Sequence, residues 1–201
     1  MSKTVDYYFS LISPWTYFGD ARLKDIAARH DARIVYKPMN LGKVFPITGG
    51  LPLAKRSQQR QAYRLAELAR WSKHLNLPVN LHPEYFPCDE SRAAGMVIAT
   101  IGNGDDPGDF INVVLSAVWA NERNIADDET LIELAARAGL DGGKLLAAVG
   151  REDISNEWDR LSVEAIERGV FGSPFYIVND EPFWGQDRLD MVDAALSRKK
   201  E

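Results

Sequence analysis

The sequence contains a single cysteine, Cys88, among its 201 residues. One thiol cannot form a disulfide within the chain, so the sequence indicates a reducing, cytoplasmic setting. The three histidines, His30, His74 and His82, are scattered and lack the spacing of metal ligands. We therefore predict no metal site.

Strong charge and long apolar runs are also missing. The net charge is −5 and the isoelectric point about 5.3, which gives no electrostatic basis for binding nucleic acid or an anionic membrane. No apolar run approaches the roughly 20 residues that span a bilayer, and residues 1–6 lack the apolar segment of a secretory signal. We expect neither nucleic acid nor a membrane as a partner.

The first 52 residues predict a strand, a helix, a second strand and a loop. An apolar run ends at Phe9, a helical pattern covers residues 15–28, and a β-rich segment, residues 33–37, stops at Pro38. A unit of this length favours parallel pairing through a right-handed crossover. Residues 39–52 are rich in proline and glycine and predict a loop.

Helical patterns then dominate residues 53–169, with an extended connection at the prolines between two of the helices. Strand signals return at residues 175–178 and 182–184, joined by a tight Asn179-Asp180 turn that favours an antiparallel hairpin. A last helix covers Asp187 to Ser197. The order βαβ, helical block, ββα predicts an α/β protein with a thioredoxin-like fold and a large all-helical insertion. Residues 1–52 and 170–201 would form the thioredoxin-like domain, and residues 53–169 the helical insertion domain.

The segment Ser13-Pro14-Trp15-Thr16 joins the first strand to the first helix. Ser13 can cap this helix, which would hold its hydroxyl at the positive end of the helix dipole, a place that suits a thiolate or a phosphate. The segment has the layout of a Cys-Pro-x-Cys redox motif with a hydroxyl in place of each thiol. Disulfide exchange needs a thiolate, so oxidoreductase activity of that kind is disfavoured. Plain capping, worth about 1 kcal/mol, is the structural alternative and is compatible with binding.

A second segment, residues 171–175, places Ser173 and Pro174 just before the third strand. A cis proline facing the start of the first helix would leave the backbone of Ser173 free to pair with an extended peptide. The alternative is a trans proline at a strand start. We predict the cis form.

Three motifs, at residues 11–17, 171–174 and 183–189, together resemble those of one family. It is the 2-hydroxychromene-2-carboxylate isomerases, which are grouped with the kappa-class glutathione transferases in the disulfide-oxidoreductase-A-like branch of the thioredoxin superfamily. The similarity extends over nearly the whole chain. It implies a homodimeric, glutathione-dependent cis-trans isomerase of aromatic degradation, in which Ser13 donates a hydrogen bond to the glutathione thiolate.

The resemblance also implies further site residues. Lys55 would anchor a glutathione carboxylate, and Gln186 and Asp187 would hold the γ-glutamyl end, although Asp187 could equally cap the last helix. Thr48 stands where several relatives have an asparagine. Independently of the resemblance, the aromatic side chain of Trp15 beside Ser13 could wall a pocket for a flat apolar second substrate. Glutathione would also contact Ser173 and Pro174.

Two other activities fit the same motifs. A kappa-type transferase would conjugate glutathione to an electrophile instead of releasing it after isomerisation. The second is a thioredoxin-fold protein that binds peptides or thiols at the same place and has no isomerase activity. The first choice remains an isomerase in which the thiolate held by Ser13 adds reversibly to a conjugated carbon, bond rotation follows, and elimination releases the isomer.

Overall fold

A four-stranded sheet is built from the two ends of the chain; a computed structural model describes residues 3–198. Its strands are β1 (Lys3–Phe9), β2 (Ala32–Pro38), β3 (Phe175–Val178) and β4 (Glu181–Trp184), in the order β2-β1-β3-β4. Strands β1 and β2 are parallel and are connected through α1 (Pro14–Arg29), whereas β1–β3 and β3–β4 are antiparallel. This is the predicted βαβ…ββα order. Residues 1–2 and 199–201 of the predicted thioredoxin-like domain lie outside the described residues.

The hairpin between β3 and β4 is confirmed, with Val178 paired to Glu181. Asn179 and Asp180 both have positive φ, 50° and 63°. A two-residue turn with this backbone matches the twist of the flanking strands, and asparagine and aspartate tolerate it better than most residues. The turn fixes the register of β3, and with it the placement of the segment that precedes β3.

Helices occupy most of the chain between β2 and β3, joined by extended segments. They are α2 (Leu41–Thr48), α3 (Gln58–Leu75), α4 (Ser91–Gly102), α5 (Gly108–Trp119), α6 (Asp128–Arg137), α7 (Gly142–Val149) and α8 (Glu152–Glu167), and α9 (Leu189–Ser197) follows β4. Short 3₁₀ turns cover Leu53–Lys55 and Gln186–Arg188.

The predicted loop over residues 39–52 is wrong, because α2 forms there. Asn40 caps this helix by accepting a hydrogen bond from the N–H of Gly42 at 2.8 Å, and Gly49 ends it with φ of 83°. Pro46 removes one backbone donor inside the helix. Burial of Val44 against the sheet offsets the lost hydrogen bond. The positions of proline and glycine in the sequence do not indicate this burial.

Two helix starts also differ from the sequence prediction. The helical pattern predicted to begin at residue 53 divides into the 3₁₀ turn and α3, which begins after Ser57, its N-cap. The last helix begins at Leu189 after a 3₁₀ turn, and no side chain caps it. The alternative role of Asp187 as its N-cap is therefore wrong.

The two faces of the sheet are covered differently. On one face Val5, Tyr7 and Phe9 share a single core with residues of α4 and α5, including Met96 and Phe110. On the other face Tyr8, Phe175 and Ile177 pack with Val44 and Ala165, from α2 and α8. Helices thus pack on both faces of the sheet. Within residues 3–198, no helix is both long and apolar enough to cross a membrane.

Candidate functional site

Ser13 stands at the start of α1, as its N-cap. Its Oγ accepts a hydrogen bond from the N–H of Thr16 at 3.3 Å and donates one to the carbonyl oxygen of Ser173 at 3.2 Å. Pro14, the first helical residue, has no N–H, and the N–H of Trp15 has no acceptor within the helix by geometry. The hydroxyl therefore lies at the positive end of the α1 dipole, beside an available backbone donor.

Ser173 joins the two ends of the chain. Its Oγ accepts a hydrogen bond from the N–H of Ser10 at 2.8 Å and shares another with Oγ1 of Thr16 at 2.8 Å. The Ser173–Pro174 peptide bond is cis, which confirms the prediction. The start of α1 and the segment before β3 are thus held against each other.

Glu90 supports the loop that leads into α1. Its carboxylate accepts hydrogen bonds from Oγ of Ser10 at 2.8 Å and from the N–H of Leu11 at 2.5 Å. Burial raises the pKa of Glu90 to about 7, although these hydrogen bonds act in the opposite direction. The sequence analysis missed this residue, because only the tertiary structure brings the N-cap position of α4 against the Ser10–Leu11 segment.

A cavity of about 850 Å³ opens beside Ser13 and Ser173. Trp15 and Thr48 line it, together with residues of the segment between α3 and α4 and the exposed Trp184. The hydroxyl of Thr48 donates to the carbonyl of Val44 in its own helix, at 2.9 Å. Four of the predicted site residues, Ser13, Trp15, Thr48 and Ser173, thus line one cavity, and Pro174 follows Ser173 directly.

The other three predicted site residues do not line this cavity. Lys55 is exposed at the end of the 3₁₀ turn, although its neighbours Ala54 and Arg56 do line it. Gln186 is buried, and its Oε1 accepts a hydrogen bond from Arg22 of α1 at 2.7 Å. Asp187 is exposed and accepts a hydrogen bond from Arg188 at 2.7 Å.

Three arginines, Arg56, Arg60 and Arg64, line the cavity. A Lys-Arg pair before a helix usually faces solvent, which predicts a structural or solvated Arg56, and the sequence assigned no site role to Arg60 and Arg64 on α3. The guanidinium of Arg64 lies over the rings of Phe86 and Trp119, at 5.3 and 5.4 Å from their centroids. The cavity thus combines a basic wall with apolar surface.

Cys88 also lines the cavity, half-buried. Burial raises the pKa of its thiol to about 11, and the negative charge of Glu90 adds to the effect. The thiol therefore stays protonated near neutral pH and is a poor nucleophile. Among residues 3–198, no group of three or more His, Cys, Asp or Glu side chains is placed to hold a metal ion.

Taken together, these groups can stabilise an anion at one point and hold an organic ligand around it. Ser13 and the start of α1 provide hydrogen-bond donors, the backbone of Ser173 offers polar groups to an extended ligand, and the arginines attract carboxylates. Neither the hydroxyls nor the protonated Cys88 thiol of the lining is a strong nucleophile near neutral pH.

Comparison with known proteins identifies relatives by sequence and by fold. Residues 4–197 match the model of the DSBA-like thioredoxin domain. The chain is 30% identical over 198 residues to a 2-hydroxychromene-2-carboxylate isomerase of Sphingobium xenophagum, covering 98% of this chain and 99% of that protein. It is 29% identical to an isomerase of the same name from Pseudomonas putida, covering 96% of this chain and 94% of that protein.

A solved structure of a 2-hydroxychromene-2-carboxylate isomerase superposes with a TM-score of 0.81 at 27% identity, covering 96% of this chain and 94% of that chain. A probable DsbA oxidoreductase from Streptomyces coelicolor, 19% identical, shares the fold with a TM-score of 0.78, covering 99% of this chain and 92% of that chain. The predicted fold class and the predicted family are both confirmed. The chain belongs to the DSBA-like thioredoxin domain family and, within it, to the 2-hydroxychromene-2-carboxylate isomerases.

Proposed function

We propose that the protein is a glutathione-dependent isomerase of substrates of the 2-hydroxychromene-2-carboxylate type. The observation that carries the proposal is the position of the Ser13 hydroxyl, at the start of α1 and on the wall of the 850 Å³ cavity. The relatives named for this reaction match the chain over nearly its full length.

The cavity residues fit a tripeptide thiol. Glutathione carries two carboxylates and an ammonium group, and the cavity lining includes the cationic Arg56 and the carboxylate of Asp89. The volume lies within the range of about 300–1,000 Å³ that is typical of sites for small molecules. Beside Ser13, the backbone just before β3 can pair with an extended peptide.

Ser13 is the catalytic residue of the proposal. Its hydroxyl rotates away from the carbonyl of Ser173, to which it donates at 3.2 Å, and donates instead to the sulfur. The start of α1 adds its positive dipole, so the pKa of the bound thiol falls. When bound, glutathione supplies a thiolate that adds reversibly to a conjugated carbon, which permits rotation about the bond before elimination.

The network around Ser13 keeps this geometry fixed. Thr16 and Ser10 bind the Ser173 side chain, and Glu90 binds the loop between β1 and α1. The Ser13 oxygen therefore does not have to reorganise when negative charge develops on the sulfur, which is the condition for effective electrostatic stabilisation. Trp15, on the same wall, is proposed to contact the flat second substrate.

Lys55, Gln186 and Asp187 stay predictions from the family resemblance. Lys55 follows the cavity-lining Ala54, so its side chain is proposed to anchor a carboxylate at the rim. Gln186 must exchange its bond with Arg22 for one with the ligand. Asp187 has an exposed carboxylate for the ammonium group, once it leaves Arg188.

The test is an isomerisation assay of 2-hydroxychromene-2-carboxylate with the purified protein. We expect turnover with glutathione, none without it, and none with S-methylglutathione, which occupies the same slot but has no free thiol. Calorimetric titration should show binding of both tripeptides. Conjugation of an aryl chloride without isomerisation would assign the protein to the transferases, and binding without either reaction would leave only a binding module.

A further inference from the structure

The basic wall of the cavity has no carboxylate partner within residues 3–198. Arg56 donates to the carbonyl of Leu51 at 2.8 Å, Arg64 stacks on Phe86 and Trp119, and neither they nor Arg60 form a salt bridge with a described residue. Most other arginines of this chain pair with an aspartate or a glutamate. The three guanidinium groups of the cavity are therefore available to an anion from outside.

The two acidic residues that line the same cavity do not neutralise the row. The carboxylate of Glu90 is engaged by Ser10 and Leu11. The carboxylate of Asp89 accepts hydrogen bonds from the N–H and the hydroxyl of Ser91, at 2.9 and 3.0 Å. Both carboxylates are thus occupied by hydrogen bonds to nearby backbone and hydroxyl groups. The positive charge of the arginines remains uncompensated.

The arginines also destabilise one another's charge. Burial and, to a smaller extent, the charge of Arg56 together lower the pKa of Arg64 to about 10. Burial and the charge of Arg60 likewise lower the pKa of Arg56. A carboxylate placed among them would relieve this repulsion and would bind in a partly desolvated place, where charge-assisted hydrogen bonds are strong.

The neighbours of Arg64 indicate the shape of the ligand. Its guanidinium carbon lies 5.3 Å from the ring centroid of Phe86, and Phe86, Ile12 and Trp15 supply apolar wall of the same cavity. A guanidinium group is planar, and its fork of N–H donors fits a carboxylate in two places. This combination suits an acid whose carboxylate is attached to a flat, apolar body.

We infer that Arg60 and Arg64, with Arg56 beside them, bind the carboxylate of the aromatic acid that is isomerised. This inference rests on the proposed function and adds to it the residues that bind the carboxylate of the substrate. The carboxylates of glutathione are the other source of the same chemistry. The experiment therefore measures the two ligands separately.

The variants are Arg64→Gln and Arg60→Gln, and Arg70→Gln is the matched control. Arg70 is on the same helix but pairs with Glu67 and does not line the cavity. At saturating glutathione, we expect the KM for 2-hydroxychromene-2-carboxylate to rise about 10- to 100-fold in the first two variants, since each loses a charge-assisted hydrogen bond. The glutathione Kd and the kinetics of Arg70→Gln should be unchanged. An unchanged KM, or a weakened glutathione Kd with an unchanged KM, overturns the inference.

A second measurement does not depend on turnover. Calorimetry with 2-hydroxycinnamate and with its carboxamide should show that the wild-type protein binds the acid and not the amide, and that Arg64→Gln loses this preference. If the wild-type protein fails to isomerise but prefers the acid, the proposed function fails and the carboxylate site stands. Equal binding of acid and amide overturns the site. Should Arg64→Gln not fold, Arg60→Gln and Arg64→Lys, which keeps the charge without the planar fork, carry the same comparison.

Discussion

The hydroxyl of Ser13 donates a hydrogen bond to the carbonyl oxygen of Ser173 at 3.2 Å, although the two residues are 160 positions apart in the chain. This contact joins the start of α1 to the segment before β3. It also gives the hydroxyl hydrogen a weak partner that a more basic atom can replace, because a thiolate is a better acceptor than a neutral carbonyl. The contact thus positions the Ser13 hydroxyl, and its hydrogen can still be donated to a bound thiolate.

Replacing Ser13 by alanine should separate its capping from its chemistry. We expect Ser13→Ala to lower the free energy of unfolding by about 1 kcal/mol through the lost cap. We also expect kcat/KM to fall about 10- to 100-fold, because a hydrogen bond to a charged group is lost. The pKa of bound glutathione, read from the ultraviolet absorbance of the thiolate, should rise.

The control for this variant is Asp127→Ala, which removes the cap of α6, a helix that does not line the cavity. It should destabilise the protein to a similar extent and leave kcat/KM unchanged. An Ser13→Ala protein with full activity and an unchanged thiol pKa would show that Ser13 is only a cap.

Glu90 should make stability depend on pH. Its pKa of about 7 lies above the ordinary value of 4.5, so between these pH values the folded protein retains a proton that the unfolded chain has released. The free energy of unfolding therefore falls as the pH rises from about 4.5 to about 7. Glu90→Gln, which has no proton to lose, should remove up to about 3 kcal/mol of this fall, at ~1.4 kcal/mol per pH unit.

Urea unfolding of the wild-type and Glu90→Gln proteins at a series of pH values measures the difference directly. Glu167→Gln, at an exposed glutamate of α8, serves as the control and should keep the wild-type slope. Parallel curves for the wild-type and Glu90→Gln proteins would contradict a raised pKa at Glu90.

The rim of the cavity should be sensitive to a single methyl group at Gly172. A Cβ at this position would lie 2.4 Å from Nε1 of Trp184, whose ring packs against Phe171 with centroids 4.8 Å apart. Gly172→Ala should therefore displace Trp184 and weaken glutathione binding, measured by calorimetry. The loss of stability should be small, because Trp184 is 54% exposed and can move into solvent.

A double-mutant cycle tests the steric cause. In a Trp184→Ala background, Gly172→Ala should have no further effect on the glutathione Kd. Gly143→Ala is the control, since a Cβ there meets only Oδ1 of Asp141, at 3.7 Å. Additive effects of the two substitutions would mean that Gly172 acts through something other than the indole.

Cys88 should be dispensable. Its thiol has a pKa of about 11 and stays protonated at neutral pH, so Cys88→Ser should keep both the activity and the dependence on glutathione. Alkylation of the wild-type protein at pH 7 should be slower than that of free cysteine. Loss of activity in Cys88→Ser would point to a protein thiol in the reaction.

Local signals in the sequence were sufficient for the cap at Ser13, the cis bond before Pro174 and the hairpin at Asn179-Asp180. Each depends on residue types whose backbone preferences are strong on their own. The helix α2 was missed for the same reason, since Pro46 and the glycines around it argue locally against a helix. Burial of α2 against the sheet stabilises the helix, and local backbone preferences carry no information about burial.

The remaining parts of the site depend on distant packing. Glu90 reaches the loop before α1 across 79 and 80 positions of the chain, and no local pattern announces that contact. The row formed by Arg56, Arg60 and Arg64 was visible as a spacing, but its direction toward the cavity follows from how α3 packs near Phe86 and Trp119. Gln186 faces Arg22 because the last 3₁₀ turn packs on α1.

The hydrogen bonds of Ser173 to Ser10 and Thr16 have a consequence for the order of biosynthesis. Ser173 is synthesised 160 residues after Ser13. A nascent chain that has not yet reached Ser173 has the Ser13 hydroxyl but lacks the opposing carbonyl, and it also lacks the side chain that binds Ser10 and Thr16. Thiol binding of the proposed kind would therefore be acquired only after Ser173 has been added, and fragments that stop before it would be inert toward the tripeptide.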